Sequence, residues 1–180
     1  MTWELDFLNF IADNMHGGIW DSIFVFLTHL GDAGIIWIFL TMIMLLSEKT
    51  RAAGIASAIS LIFMFISVNV VIKPLFDRVR PFAEDTSLLR AVLVELPTDG
   101  SFPSGHTAAG FASSTAVFCR NKKLGIFMYI LAALIGISRL YLCVHFPTDV
   151  IFGALGGIVL GIAGYYISLR ITEKNIDKSP

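Results

Sequence analysis

Three stretches of this chain set ionisable side chains into otherwise apolar sequence. They are Lys73-Pro-Leu-Phe-Asp-Arg78-Val-Arg80-Pro81, then Ser101-Phe-Pro103-Ser104-Gly105-His106-Thr107, then Arg139-Leu-Tyr-Leu-Cys-Val-His145-Phe-Pro-Thr-Asp149. Charges at membrane depth cost free energy unless they pair or face water, so such clusters read as functional. Lys73, Arg80 and Arg139 supply three cations whose natural partner is a multiply charged anion, and the arginine fork fits phosphate oxygens in particular. Ser104, Gly105 and His106 stand at a predicted helix start, where free N–H groups and the positive dipole end favour an anion. Gly105 lets the backbone come close to it. His106 and His145 suit acid–base or nucleophilic work. Asp149, four residues after His145, can hold one imidazole nitrogen and leave the other as a nucleophile. The residue types alone do not say which histidine attacks and which moves a proton. Taken singly, each residue has a plainer reading as an interfacial anchor, a helix cap or a first-turn acid. That reading does not explain why all of them share one face.

The elements that must position them are helices. Of 180 residues, 56% are hydrophobic and 15% charged, and the mean hydropathy is +0.76. This is the composition of a polytopic membrane protein, here a single all-α domain over residues 1–180. Residues 3–14 interleave acids with Trp3, Phe7, Phe10 and Ile11 at helical spacing and predict a short interfacial helix. Six transmembrane helices are expected after it. Residues 19–30 and 35–46 give the first two, both short for a ~30 Å hydrocarbon layer. Residues 52–75 give the third, and 82–102 form an extracytoplasmic loop carrying Glu84, Asp85, Glu95 and Asp99. The fourth begins at Pro103–Ser104, the fifth covers 124–142, the sixth opens at Pro147, and 170–180 is a charged tail. Six spans collect Lys49, Arg51, Arg120, Lys122, Lys123, Arg170, Lys174 and Lys178 on one side. The positive-inside rule makes that side cytoplasmic, with both termini, and puts all three charged stretches at the extracytoplasmic face of the cell membrane. Cys119 and Cys143 fall roughly 25–30 Å apart along a helical hairpin, too far for a disulfide. No metal-ligand spacing is present. His16 and His29 lack cationic company and read as interface or loop residues.

Lys73-x6-Arg80-Pro81, Pro103-Ser104-Gly105-His106 and Ser138-Arg139-x5-His145-x3-Asp149 together resemble the three-part signature of type 2 phosphatidic acid phosphatases, the PAP2 superfamily. Every signature position is filled, in order and at the expected spacing. The resemblance implies a membrane lipid phosphate phosphatase needing no metal or other cofactor. In it His145 is the nucleophile that forms a phosphohistidine, Asp149 orients it, and His106 protonates the departing lipid oxygen and then activates water. Lys73, Arg80, Ser104, the Gly105 amide and Arg139 form the phosphate cradle.

Candidate substrates are phosphatidic acid, phosphatidylglycerol phosphate and undecaprenyl diphosphate. Undecaprenyl-diphosphate phosphatases of this superfamily often carry Asp where Gly105 stands, which leans toward a glycerophospholipid or broad-range enzyme. A haloperoxidase would use the same cradle for vanadate, but its soluble relatives lack the spans. A non-catalytic protein that binds lipid phosphate is the alternative from another class; His106, His145 and Asp149 are all retained, which argues against it. Membrane lipids and a lipid phosphate are the partners implied, and nothing points to nucleic acid.

Overall fold

In lipid, backbone polar groups must be satisfied within the chain, and apolar runs do this as helices. The computed structural model describes residues 2–176, and no strand occurs among them. The helices are α1 (Thr2–Asn14), α2 (Ile19–Leu30), α3 (Ile35–Leu46), α4 (Arg51–Met64), α5 (Lys73–Phe76), α6 (Pro81–Glu84), α7 (Gly105–Arg120), α8 (Lys122–Tyr141) and α9 (Pro147–Ile176). A π-helical segment, Phe65–Ile72, joins α4 to α5, and 3-10 turns cover Asp32–Gly34 and Thr86–Ala91. Local chemistry sets the boundaries. The Ser104 side chain caps α7, Asn121 caps α8 by accepting from the Leu124 amide at 3.2 Å, and Pro147 opens α9. The helix α9 runs on to Ile176, past the expected start of the tail at residue 170; residues 177–180 lie outside the described residues.

Three stretches are long and apolar enough to cross a membrane: Arg51–Glu84, Lys122–Tyr141 and Pro147–Thr172. Ile19–Leu30 and Asp32–Leu46 qualify as a bent pair, with 49° between them. These two stretches were expected to be separate spans, and the geometry corrects that. Each has 12 residues, or ~18 Å of helix, too little to bridge ~30 Å. The chain bends and continues instead of reversing. It leaves the C-terminal end of α8, where Phe24 stacks on Tyr141 at 4.1 Å, and ends beside Gly54 at the start of α4. The described chain therefore passes between the two ends of the bundle five times, through α2–α3, α4–α5, α7, α8 and α9. Consequently α1 lies at the end of the bundle that holds the three charged stretches, whereas α9 finishes at the other. The inner face of α1 (Leu8, Ile11, Ala12) packs on Leu88, Ala91 and Leu142–Val144, while Trp3 and Phe10 stay exposed.

Helix α7 is the centre of the bundle, enclosed by α4, α8 and α9, with Ala108, Ala109, Ala112 and Ala116 buried. Phe39, Phe65, Phe127, Leu155 and Val159 point outward, as an apolar solvent requires. A hydroxyl chain ties three helices together: Thr41 to Ser57 at 2.6 Å and Ser57 to Ser113 at 2.7 Å. Small residues let the backbones close in. A Cβ on Gly161 would fall 2.6 Å from the Ala112 carbonyl and 2.5 Å from Thr115 Cβ. Gly161→Val should therefore destabilise the bundle by about 1–3 kcal/mol through overpacking, read as a lower thermal midpoint in detergent, whereas Gly156→Ala, facing open space, should leave the midpoint unchanged.

Candidate active site

His145 sits in the turn between α8 and α9, fully buried, two residues after Cys143, whose φ of 51° is left-handed. Non-glycine residues rarely hold such a conformation, and it recurs here at Asp77 after α5 and at Ala33 in the α2–α3 bend. All three positions flank the same site. Nδ1 of His145 lies 3.4 Å from the Asp149 carboxylate. An ionised carboxylate only accepts, so Nδ1 carries the proton and Nε2 keeps its lone pair. Asp149 is wholly buried and saturated with donors. Oδ2 takes the Phe146 amide at 2.8 Å and Ser101 Oγ at 2.7 Å, and Oδ1 takes Arg78 Nη1 at 2.6 Å. Arg78 also reaches Glu4 at 2.8 Å and lies over the Phe146 ring at 4.0 Å. Glu4, buried on α1, accepts in turn from the Thr148 amide and hydroxyl. Burial holds the His145 imidazolium down to about 3, with the Arg80 and Arg139 charges adding to it and Asp149 opposing. The ring is therefore neutral at neutral pH.

The Nε2 side of His145 opens on a cavity of about 1080 Å³ that Lys73, Arg80, Gly105, His106 and Arg139 also line. Arg80, 5% exposed, approaches Nε2 at 3.4 Å and is steadied by the Val144 carbonyl at 2.7 Å and the Asp99 carbonyl at 2.9 Å. Arg139 donates to Thr28, and its buried Nε has no hydrogen-bond partner among the described residues. Buried donors are rarely left so, which suits a site awaiting an acceptor. The first-turn amides of α7 border the cavity at Gly105, where an added Cβ would meet Asn69 Oδ1 at 3.3 Å. The structure thus gathers six of the eight candidate residues around one space. The other two stand behind the wall. Asp149 backs His145, and the buried Ser104 hydroxyl receives the Thr107 hydroxyl at 3.0 Å, so it faces its own helix and not the cavity.

Three acids, a histidine and an arginine join the site without having been singled out from sequence. Asp99 pairs with Lys73 and, at 2.7 Å, with Arg80. Burial raises its carboxyl, but the two cations outweigh that and hold it at about 2. Residues Leu93 to Asp99 of the loop form one wall of the cavity. Asp32, in the α2–α3 bend, accepts from His106 Nε2 at 2.9 Å, and its other oxygen bonds His29 Nδ1 at 2.7 Å. His29, expected to be an isolated loop residue, lines the cavity too. His16 remains apart, stacked on Tyr141 at 4.2 Å. Glu4 and Arg78 complete the set behind Asp149.

Residues 51–173 match the PAP2 superfamily. The chain is 30% identical over 157 residues to the undecaprenyl-diphosphatase BcrC of Bacillus subtilis, covering 85% of this chain and 77% of the relative. It is 34% identical over 161 residues to an undecaprenyl-diphosphatase of Sulfolobus acidocaldarius, covering 88% and 75%. The crystal structure of a transmembrane PAP2-type phosphatidylglycerolphosphate phosphatase from Bacillus subtilis superposes with a TM-score of 0.69 at 26% identity, over 96% of this chain and 86% of that one.

Asp99 occupies the two cations that an incoming anion would use. Asp99→Asn should therefore bind inorganic phosphate more tightly, by roughly tenfold if one competing charge-assisted contact of about 1.5 kcal/mol is removed. Calorimetric titration of the purified protein checks this; weaker binding would instead make Asp99 the residue that holds Lys73 and Arg80 in place.

Proposed function

Because the chain belongs to the PAP2 superfamily, whose members named above are membrane phosphatases, we propose that it hydrolyses a lipid phosphate through a phosphohistidine on His145. The observation that carries this is the pairing of a buried, neutral His145, held at Nδ1 by Asp149, with three cations around its free Nε2. Nε2 attacks phosphorus, the P–O bond to the lipid breaks, and its electron pair leaves on the lipid oxygen, which takes a proton from His106. Water then attacks the phosphohistidine while His106 takes its proton, the P–N bond breaks, and phosphate leaves. Lys73, Arg80, Arg139 and the Gly105 amide hold the equatorial oxygens throughout. Three fixed cations supply the charge stabilisation that a metal gives other phosphatases, so turnover should persist in chelator.

The positive-inside rule assigns the end with Lys49, Arg51, Arg120, Lys122 and Lys123 to the cytoplasm. Five crossings then turn the site and α1 outward and the end of α9 inward. Helix α7 spans ~24 Å, less than the ~30 Å hydrocarbon core, which lets a lipid keep its tails in the bilayer while its phosphate reaches His145. The substrate is a phosphate monoester such as phosphatidic acid or phosphatidylglycerol phosphate. A polyprenyl diphosphate is the second reading, favoured by the two undecaprenyl-diphosphatase relatives.

Phosphate release in detergent with chelator, from phosphatidic acid, phosphatidylglycerol phosphate and undecaprenyl diphosphate, tests the proposal. Wild type should release phosphate from at least one lipid and His145→Ala from none; equilibrium binding of these lipids without release by wild type would mean a binding protein instead. The pH profile gives a second check. Protonation silences the nucleophile, so its contribution is present above a pKa of about 3 and lost as pH falls through it. Phosphoenzyme formation in a single turnover should accordingly show no acid limb from His145 near ~6.5, the ordinary imidazole value.

A further inference from the structure

The α2–α3 bend is built around His106. Gly31 comes so close that a Cβ there would lie 2.7 Å from His106 Cδ2. Asp32 follows with its carboxylate 2.9 Å from Nε2, and Ala33 takes a φ of 49° to complete the turn. The ring edge carrying Cδ2 and Nε2 is thereby packed against the bend. Nδ1 has no hydrogen-bond partner among the described residues and is the nitrogen left for the cavity that His106 lines. Resting on the proposed phosphatase reading, we propose that Asp32 is the positioning residue of the general acid: it holds Nε2–H of His106 and fixes Nδ1 as the atom that gives its proton to the departing lipid oxygen. His29 Nδ1, at 2.7 Å, steadies the second oxygen of Asp32.

The chemistry follows the same balance as above. As His145 forms the P–N bond, the lipid P–O bond breaks and its electron pair takes the Nδ1 proton. The imidazolium so discharged becomes neutral while its Nε2–H stays on Asp32. An ionised carboxylate beside Nε2–H favours the protonated ring that an acid must be before it acts, and so works against the burial and the Arg139 charge that disfavour it. The site thus contains two carboxylate–histidine pairs with opposite tasks. Asp149 keeps Nδ1–H of a buried His145 and frees Nε2 to attack; Asp32 keeps Nε2–H of His106 and frees Nδ1 to donate.

The test separates leaving-group protonation from general damage. Full-length Asp32→Asn and Asp32→Ala, with Asp32→Glu as the conservative variant, are assayed in detergent. The substrates are an alkyl lipid phosphate and p-nitrophenyl phosphate, whose leaving oxygen needs no proton. Asp32 is 46% exposed, so these changes are compatible with folding. The expected result is a kcat about 10- to 100-fold lower on the lipid, a fraction of what general acid catalysis provides. KM should stay the same, Asp32→Glu should recover part of the loss, and the first-turnover burst of p-nitrophenolate should keep its wild-type rate. Equal losses on both substrates, or no loss on the lipid, would overturn the assignment. A wild type that releases phosphate from neither substrate would overturn the phosphatase reading itself, and this inference with it.

Discussion

The site depends on one carboxylate that the fold has taken out of water. Asp149 is wholly buried and its two oxygens accept from four groups, two of them backbone or hydroxyl donors and two of them side chains that titrate or carry charge. A buried carboxylate is tolerable only when its lone pairs are filled in this way. The donors come from distant parts of the chain: Arg78 after α5, Ser101 before α7, and His145 and Phe146 before α9. Satisfying Asp149 therefore ties together the end of α5, the start of α7 and the start of α9, three of the elements that border the cavity. Arg78, itself shared with Glu4, extends the same constraint to α1.

Much of this was legible in the residues. Apolar runs separated by short polar turns gave the helices to within a few positions, because membrane helices follow hydropathy closely. The three signature stretches named Lys73, Arg80, Gly105, His106, Arg139 and His145, which do meet at one cavity. What periodicity does not encode is which distant groups satisfy each other. Glu4 and Asp99 looked like solvated acids, and each is the partner of buried or half-buried cations. Arg78 stood inside the first stretch, two residues before Arg80, without a reason to prefer it. Asp32 and His29 lay in a glycine-bounded turn between apolar runs, where an acid and a histidine three residues apart were the available signal. Ser104 shows the converse: its position fits a cradle, but capping its own helix consumes the hydroxyl.

The passage count failed for a physical reason. Twelve apolar residues suffice to look like a span on hydropathy and are half a span by length. A bend, not a reversal, joins α2 to α3, and the polar residues at that bend end up facing the cavity because both halves are too short to carry them to a surface.

The pairing of Glu4 with Thr148 joins groups 144 residues apart. A ribosome delivers the first long before the second, so Glu4 has no partner on Thr148 until the turn after α8 has been made. Completion of the site therefore waits on the turn that carries His145 and Asp149, so a chain stalled before that turn forms its earlier helices without assembling the machinery between them.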